Sequence, residues 1–107
     1  VVVIAGADLA HVGPRFGDER ALDPEQRERL GRRDRESIEH AASLDATGFW
    51  AHVAGDLEER RVCGLAPIWS LLRAVSGGAH GKLLHYEQTT DPEDGSIVSH
   101  AALGYYA

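Results

Sequence analysis

The chain opens on an unbroken apolar run, Val1-Val2-Val3-Ile4-Ala5, closed by Gly6. A short, uniform run bounded by a turn residue is the pattern of a strand covered on both faces. Such strands belong to parallel sheets, whose crossover helices cover them. The opening residues therefore demand neighbouring strands and covering helices. The sequence starts at Val1 and contains no Met. Together these features predict that residues 1–107 are the C-terminal portion of a longer single domain.

A chain of 107 residues supports one hydrophobic core rather than two. Hydrophobic residues make up 43% and charged residues 26%, the balance of an ordinary globular domain. No apolar run approaches the ~20 residues of a membrane span, and no signal-peptide pattern opens the chain, so no membrane partner is expected. The net charge of −6 argues against a nucleic-acid partner, which would need clustered cations. The basic residues alternate with acids in EQRERLGRRDRE, which reads as a solvated helix face laced with i,i+4 pairs. Cys63 is the only cysteine. It excludes an internal disulfide and fits a reducing, cytoplasmic setting.

The periodicities predict a strand over 1–7 and a long loop over 8–22. Asp23-Pro24 reads as an N-cap with proline in the first turn, followed by Glu25. The helix that follows is expected to break near Gly31. Its better half carries a narrow apolar stripe, Ile38, Ala41, Ala42 and Leu44. Asp45 reads as the next N-cap, ahead of Phe49, Trp50, Val53 and Leu57 at helical spacing. Residues 58–62 read as a mostly polar connection. Leu65, Ile68, Trp69, Leu72 and Val75 mark a helix over 65–76, with Pro67 in its first turn and Gly77-Gly78 ending it. Residues 82–89 alternate as a strand, DPEDG turns the chain, and 96–106 form a last strand expected to be central or well covered. So short a turn makes the last two strands antiparallel partners. The predicted fold class is α/β, a layered sandwich around a mixed sheet.

Asp8 and His11 lie just past the opening strand, where open α/β sheets bind ligands. A carboxylate near an imidazole can fix its tautomer and raise its basicity, which suits a general base or a metal site. Equally, Asp8 can cap a turn and His11 can be a half-buried loop residue. Cys63 sits at the entry to the 65–76 helix, where the helix dipole and free N–H groups favour a thiolate. Gly64 beside it would let a ligand or metal approach the backbone. The competing reading of Cys63 is a small buried hydrophobe. His40 and His52 read as surface residues, His80 as part of a turn, and His85 and His100 as strand residues of weak site character. Trp50 and Trp69 read as core anchors. Arg15 suits a carboxylate or phosphate, or an ion pair with Asp18 or Glu19. No phosphate loop, G-x-S-x-G elbow or C-x-x-C zinc pattern is present.

Four stretches occur together and in order: AGADLAHVGPRFGD, DRESIEHAASLDATGFWAHV, VCGLAPIWSLLRAV and KLLHYEQTTDPEDGSIVSHAAL. In combination they resemble the C-terminal half of the Memo family, which in bacteria and archaea is protein B of the AmmeMemoRadiSam system. The resemblance implies a fold similar to the class III, LigB-type extradiol dioxygenases, which use non-haem iron. It implies a metal pocket of two histidines, expected upstream of Val1, and one cysteine matching Cys63. Asp8 and His11 match the family's D-x-x-H motif beside that pocket, and His11 inherits an acid/base role by analogy. The metal is expected to be iron, copper or zinc. A thiolate in place of a carboxylate favours copper(I) or zinc over ferrous iron and sets the pocket apart from a ring-cleaving one. The resemblance also implies an AMMECR1-like protein and a radical-SAM enzyme as system partners.

Three functions compete. The first is a metal-dependent oxidoreductase acting on a small molecule. The second is a binding or scaffold protein that keeps an enzyme-like pocket for a small-molecule or peptide ligand without turnover. The third is a cysteine hydrolase with Cys63 as nucleophile, His11 as base and Asp8 as orienter.

Overall fold

Asp23 starts the longest helix as its sequence dictates. The computed structural model describes residues 5–75 and 77–106. In it the Asp23 side chain accepts from the Gln26 N–H at 2.8 Å, and Gln26 reaches back to the Asp23 N–H at 2.9 Å. This reciprocal capping box satisfies two otherwise orphaned donors, and Pro24 occupies the first turn. Helix α1 then runs unbroken over Pro24–Ala42. The expected break at Gly31 is absent: Gly31 is buried, with the Gln88 amide lying against its helix face.

Asp45 caps helix α2, Ala46–Gly55, through the Gly48 N–H at 2.9 Å. Residues expected to form a plain connection instead form a short helix α3, Leu57–Arg60, with Glu58 and Glu59 in its first turn where the dipole favours acids. Helix α4 covers Leu65–Ala74 and is capped at Val75, where the backbone turns extended; Ser76, the expected last residue, lies outside the described residues.

The sheet holds β1 (His11–Val12), β2 (His80–Thr90) and β3 (Ile97–Tyr106) in the order β1-β3-β2. The last two strands pair antiparallel and β3 is central, as the sequence predicts. A β-bulge interrupts the register between Leu83 and His85. The expected loop 8–22 contributes β1, which pairs antiparallel with β3 through His11↔Val98 and Val12↔Ile97. Leu9 N–H to Ser99 O and Ser99 N–H to Ala10 O extend that pairing, because the free edge of β3 offers partners to a passing backbone. Among the described residues the sheet is antiparallel throughout. Of the expected strand 1–7, residues 1–4 lie outside the described residues and 5–7 are not in a strand. The α/β class holds.

The core joins the two kinds of element. Leu9, Ile38, Ala41, Phe49, Val53, Val62 and Leu72 form one buried cluster, with Tyr86, Leu103 and Tyr105 packed on it from the sheet. Ala10, Val12, Leu30 and Ile97 form a second beneath β1. Trp50 departs from the expected core role. It is 43% exposed and meets the partly buried Trp69 edge-on, ring centres 5.7 Å apart.

Candidate functional site

The site grows from two chain segments that the core brings together. The first runs from Asp8 to Asp18. Its hydrogen bonds to β3 fix Leu9–Val12 on the sheet edge, and the Ala10 N–H donates to the buried Ser99 hydroxyl at 2.9 Å. Gly13 then takes φ 111°, a left-handed conformation that a β-carbon resists, and a β-carbon there would fall 2.7 Å from Ser96 Cα. The chain thus turns sharply after His11-Val12. Asp8 is exposed and His11 half-buried.

The second segment is Arg60 to Gly64. Arg60 ends α3 and is buried. Arg61 follows at φ 51°, again left-handed, so the chain reverses between α3 and the buried Val62. Cys63 emerges exposed, one residue before Gly64 at the N-cap of α4. It is therefore not the buried hydrophobe of the competing reading.

The two segments meet at two places. The Cys63 thiol donates to the Asp8 carbonyl oxygen at 3.5 Å. His11 Nδ1 lies 3.0 Å from the Arg61 carbonyl oxygen. A carbonyl only accepts, so in neutral His11 the proton sits on Nδ1 and the Nε2 lone pair is left over. The group that sets the tautomer is thus the Arg61 carbonyl, whereas the sequence pointed to the Asp8 carboxylate. The Phe16 ring stands edge-on to the imidazole at 5.2 Å. Gly64 has a different role from the expected one. A β-carbon there would lie 2.7 Å from the Asp8 carbonyl oxygen and 2.6 Å from Ile68 Cδ1. The space beside Gly64 is filled by the chain's own backbone rather than held open for a ligand.

Asp18 braces this meeting point. Its carboxylate takes the Arg61 guanidinium as a fork, at 2.7 and 3.1 Å, and the Gly13 N–H at 2.7 Å. The hydrogen bonds from Arg61, then that from Gly13, hold the Asp18 carboxyl below the usual carboxylate range. Arg15 is taken instead by Asp91.

Behind Arg61 lies a buried polar network that the sequence did not disclose. Arg60 donates to Asp34 Oδ1 at 2.8 Å, to Asp56 Oδ2 at 2.8 Å and to the Ser37 hydroxyl at 2.9 Å. Tyr86 donates its hydroxyl to Asp34 Oδ2 at 2.6 Å. Burial, then the Asp34 hydrogen bond, pushes the Tyr86 hydroxyl well above its usual range. Ser37 Oγ lies 2.6 Å from His52 Nδ1, and His52 Nε2 lies 2.9 Å from Glu36. With Arg60 donating to Ser37, the hydroxyl proton is free for Nδ1 and Nε2–H serves Glu36. His52, expected on the surface, keeps only 12% of its side chain exposed. Asp34, expected on a solvated face, is fully buried. One signal was available: Asp34 occupies the helical stripe Leu30, Asp34, Ile38, Ala41, an acid in an apolar register.

An open cleft of about 840 Å³ adjoins the site, bounded by the 18–22 loop, the first half of α1 and the α2–α3 junction. Asp18, Arg61, Leu30 and Asp56 line it. Asp56 Oδ1 is buried and has no hydrogen-bond partner among the described residues. On the sheet, His85 and His100 flank Glu87 at 3.4 and 3.8 Å, and His100 also bonds Thr89. Among the described residues no three His, Cys, Asp or Glu side chains stand together so as to hold a metal ion. Nor is any described helix long and apolar enough to cross a membrane.

Comparison with known proteins assigns the chain to a family. A MEMO1 family protein from Aquifex aeolicus (strain VF5) is 30% identical over 107 residues, covering 98% of this chain and 27% of that protein. The chain thus spans about a quarter of the length of the relative it matches. The sequence model of a family described as Memo-like protein matches residues 1–104. With nearly every residue inside that match, the chain belongs to the Memo-like protein family.

Proposed function

We propose that this chain forms one wall of a metal-dependent oxidoreductase pocket related to those of the extradiol dioxygenases. In this reading Cys63 is a metal ligand, His11 is the acid/base residue and Asp8 lies beside them. The observation that carries the reading is the 3.5 Å contact between Cys63 and the Asp8 carbonyl, which joins the D-x-x-H and V-C-G segments at one place. The donor chemistry fits a metal in part. Cys63 offers an exposed soft sulfur, and His11 keeps a free Nε2 lone pair. Two histidines from outside the 107 residues complete the ligand set, in keeping with a relative nearly four times as long. An iron, copper or zinc ion held there supplies a Lewis-acid or redox centre. A small-molecule substrate is received at this wall, and an AMMECR1-like protein and a radical-SAM enzyme act in the same system in the cytoplasm.

The test uses the full-length protein. Its metal content by mass spectrometry should be about one transition metal per chain, as a single site of three protein ligands and an open position holds one ion, and Cys63→Ala should remove it. Metal content indifferent to Cys63→Ala would end the reading. A second reading, ligand binding without turnover, places the ligand at the same wall. It predicts an affinity for a peptide or small molecule that falls on His11→Ala with no accompanying chemistry.

The hydrolase arrangement is not favoured. The partner found for His11 Nδ1 is a backbone carbonyl, and that found for Cys63 is the Asp8 backbone rather than an imidazole.

A further inference from the structure

We propose that Asp18 and Arg61 are positioning residues for His11 that decide which of its ring nitrogens carries the proton. The inference rests on the reading of His11 as the acid/base residue.

The geometry forms a closed circuit. The His11 ring meets the Arg61 carbonyl at 3.0 Å, and the Arg61 guanidinium returns to the His11 carbonyl at 3.1 Å. Residue 61 embraces residue 11 from both its backbone and its side chain. That embrace is not self-supporting. Arg61 lies in the left-handed region, which a residue with a β-carbon leaves unless something holds it. Its long side chain also has many rotamers to lose.

The cap bond from the Arg61 N–H to the Leu57 carbonyl, at 2.8 Å, holds the backbone on the helix side, and Asp18 holds the side chain. Both of its oxygens engage the guanidinium fork, and Oδ2 also takes the N–H of Gly13, two residues beyond His11. The brace therefore ties Arg61 to the same short segment that carries His11. Only a planar fork can meet both carboxylate oxygens and still reach the His11 carbonyl, so lysine is no substitute. The acceptor count matters too, since an amide offers one acceptor oxygen where the carboxylate offers two. The consequence falls on the ring. With the Arg61 carbonyl fixed, Nδ1 keeps the hydrogen and Nε2 presents its lone pair for a proton or a metal. With it loosened, the tautomer is free to exchange.

Long-range proton–nitrogen correlation spectra of the full-length protein, labelled in its histidines, read this directly. His11 is assigned by the signals lost in His11→Gln, and spectra are recorded where His11 is neutral. In the unaltered protein Nδ1 should appear as the protonated nitrogen. In Asp18→Asn and in Arg61→Lys, the His11 signals should shift to those of a tautomer mixture, while the other histidines stay put. Either variant, folded by its amide spectrum, that retains an unshifted Nδ1–H signal overturns the proposal. Because the readout needs no metal and no turnover, it separates from the function above. A shifted tautomer in a protein that never binds metal keeps the positioning role and removes the pocket reading.

Discussion

Arg60 and Asp34, separated by 26 residues in the chain, meet at 2.8 Å with both side chains buried. Arg60 immediately precedes Arg61, whose carbonyl holds His11, and lies three residues before Cys63. The Arg60 side chain, reaching from α3 to Asp34 and Ser37 of α1, therefore ties the second site segment to the core.

Breaking that pair should be costly. Asp34→Ala leaves the Arg60 charge without its main buried partner, and the loss should be about 3–5 kcal/mol by denaturant unfolding. A loss under about 1 kcal/mol would match a surface pair and would mean that water reaches the network.

Tyr86→Phe removes one donor to the same carboxylate. A hydrogen bond to a charged group is worth about 1.5–3 kcal/mol, so the variant should lose an amount in that range. The change should not add to that of Asp34→Ala, because the residues touch. Burial and the Asp34 hydrogen bond favour the protonated phenol in the folded state. Its contribution is thus complete below the ordinary value of 10.0 and is lost as the pH rises above it. Ultraviolet titration should show the Tyr86 phenolate only as the protein unfolds in alkali; early, reversible ionisation would contradict the burial.

Gly64→Ala tests how the segments meet. The new β-carbon would press on the Asp8 carbonyl, which is backbone and cannot swing aside. The expected penalty is about 1–3 kcal/mol, as for other overpacked sites. Separation of Asp8 from Cys63 should also change the rate of Cys63 alkylation by iodoacetamide. An unchanged rate and unchanged stability would place no constraint at this contact.

Acid should loosen the Asp18 brace. The folded-state value of Asp18 lies below the ordinary 3.8, chiefly through the Arg61 hydrogen bonds. The sign follows: stability from this group is complete above 3.8 and is lost as the pH falls from there through the lower folded value. Asp18→Asn should be less stable than the unaltered protein at neutral pH. The gap between them should close below about pH 4, where an ordinary aspartate takes up its proton. A gap that stays constant into acid would show that the carboxylate charge plays no part.

Some of this protein was legible along the chain. Asp23-Pro24 and Asp45 marked helix starts because a cap acts on N–H groups within three residues of itself. DPEDG joined two strands that had to pair, and the apolar character of the last strand gave it the central place. The motif order around His11 and Cys63 carried the family. Each of these signals is local or is a pattern along one element.

What the fold alone decided involves charge and distance. The apolar register of Asp34 sets its face of α1 apart, but an acid is buried only when a cation and a donor arrive to meet it. Those are Arg60 and Tyr86, 26 and 52 residues away. The same holds for His52, drawn inward by Ser37, and for Arg61, whose left-handed turn and grip on Asp18 exist only once α3 is docked. Hydrophobic periodicity reports which face turns inward, but the partner that lets a charge go with it is chosen by tertiary contact.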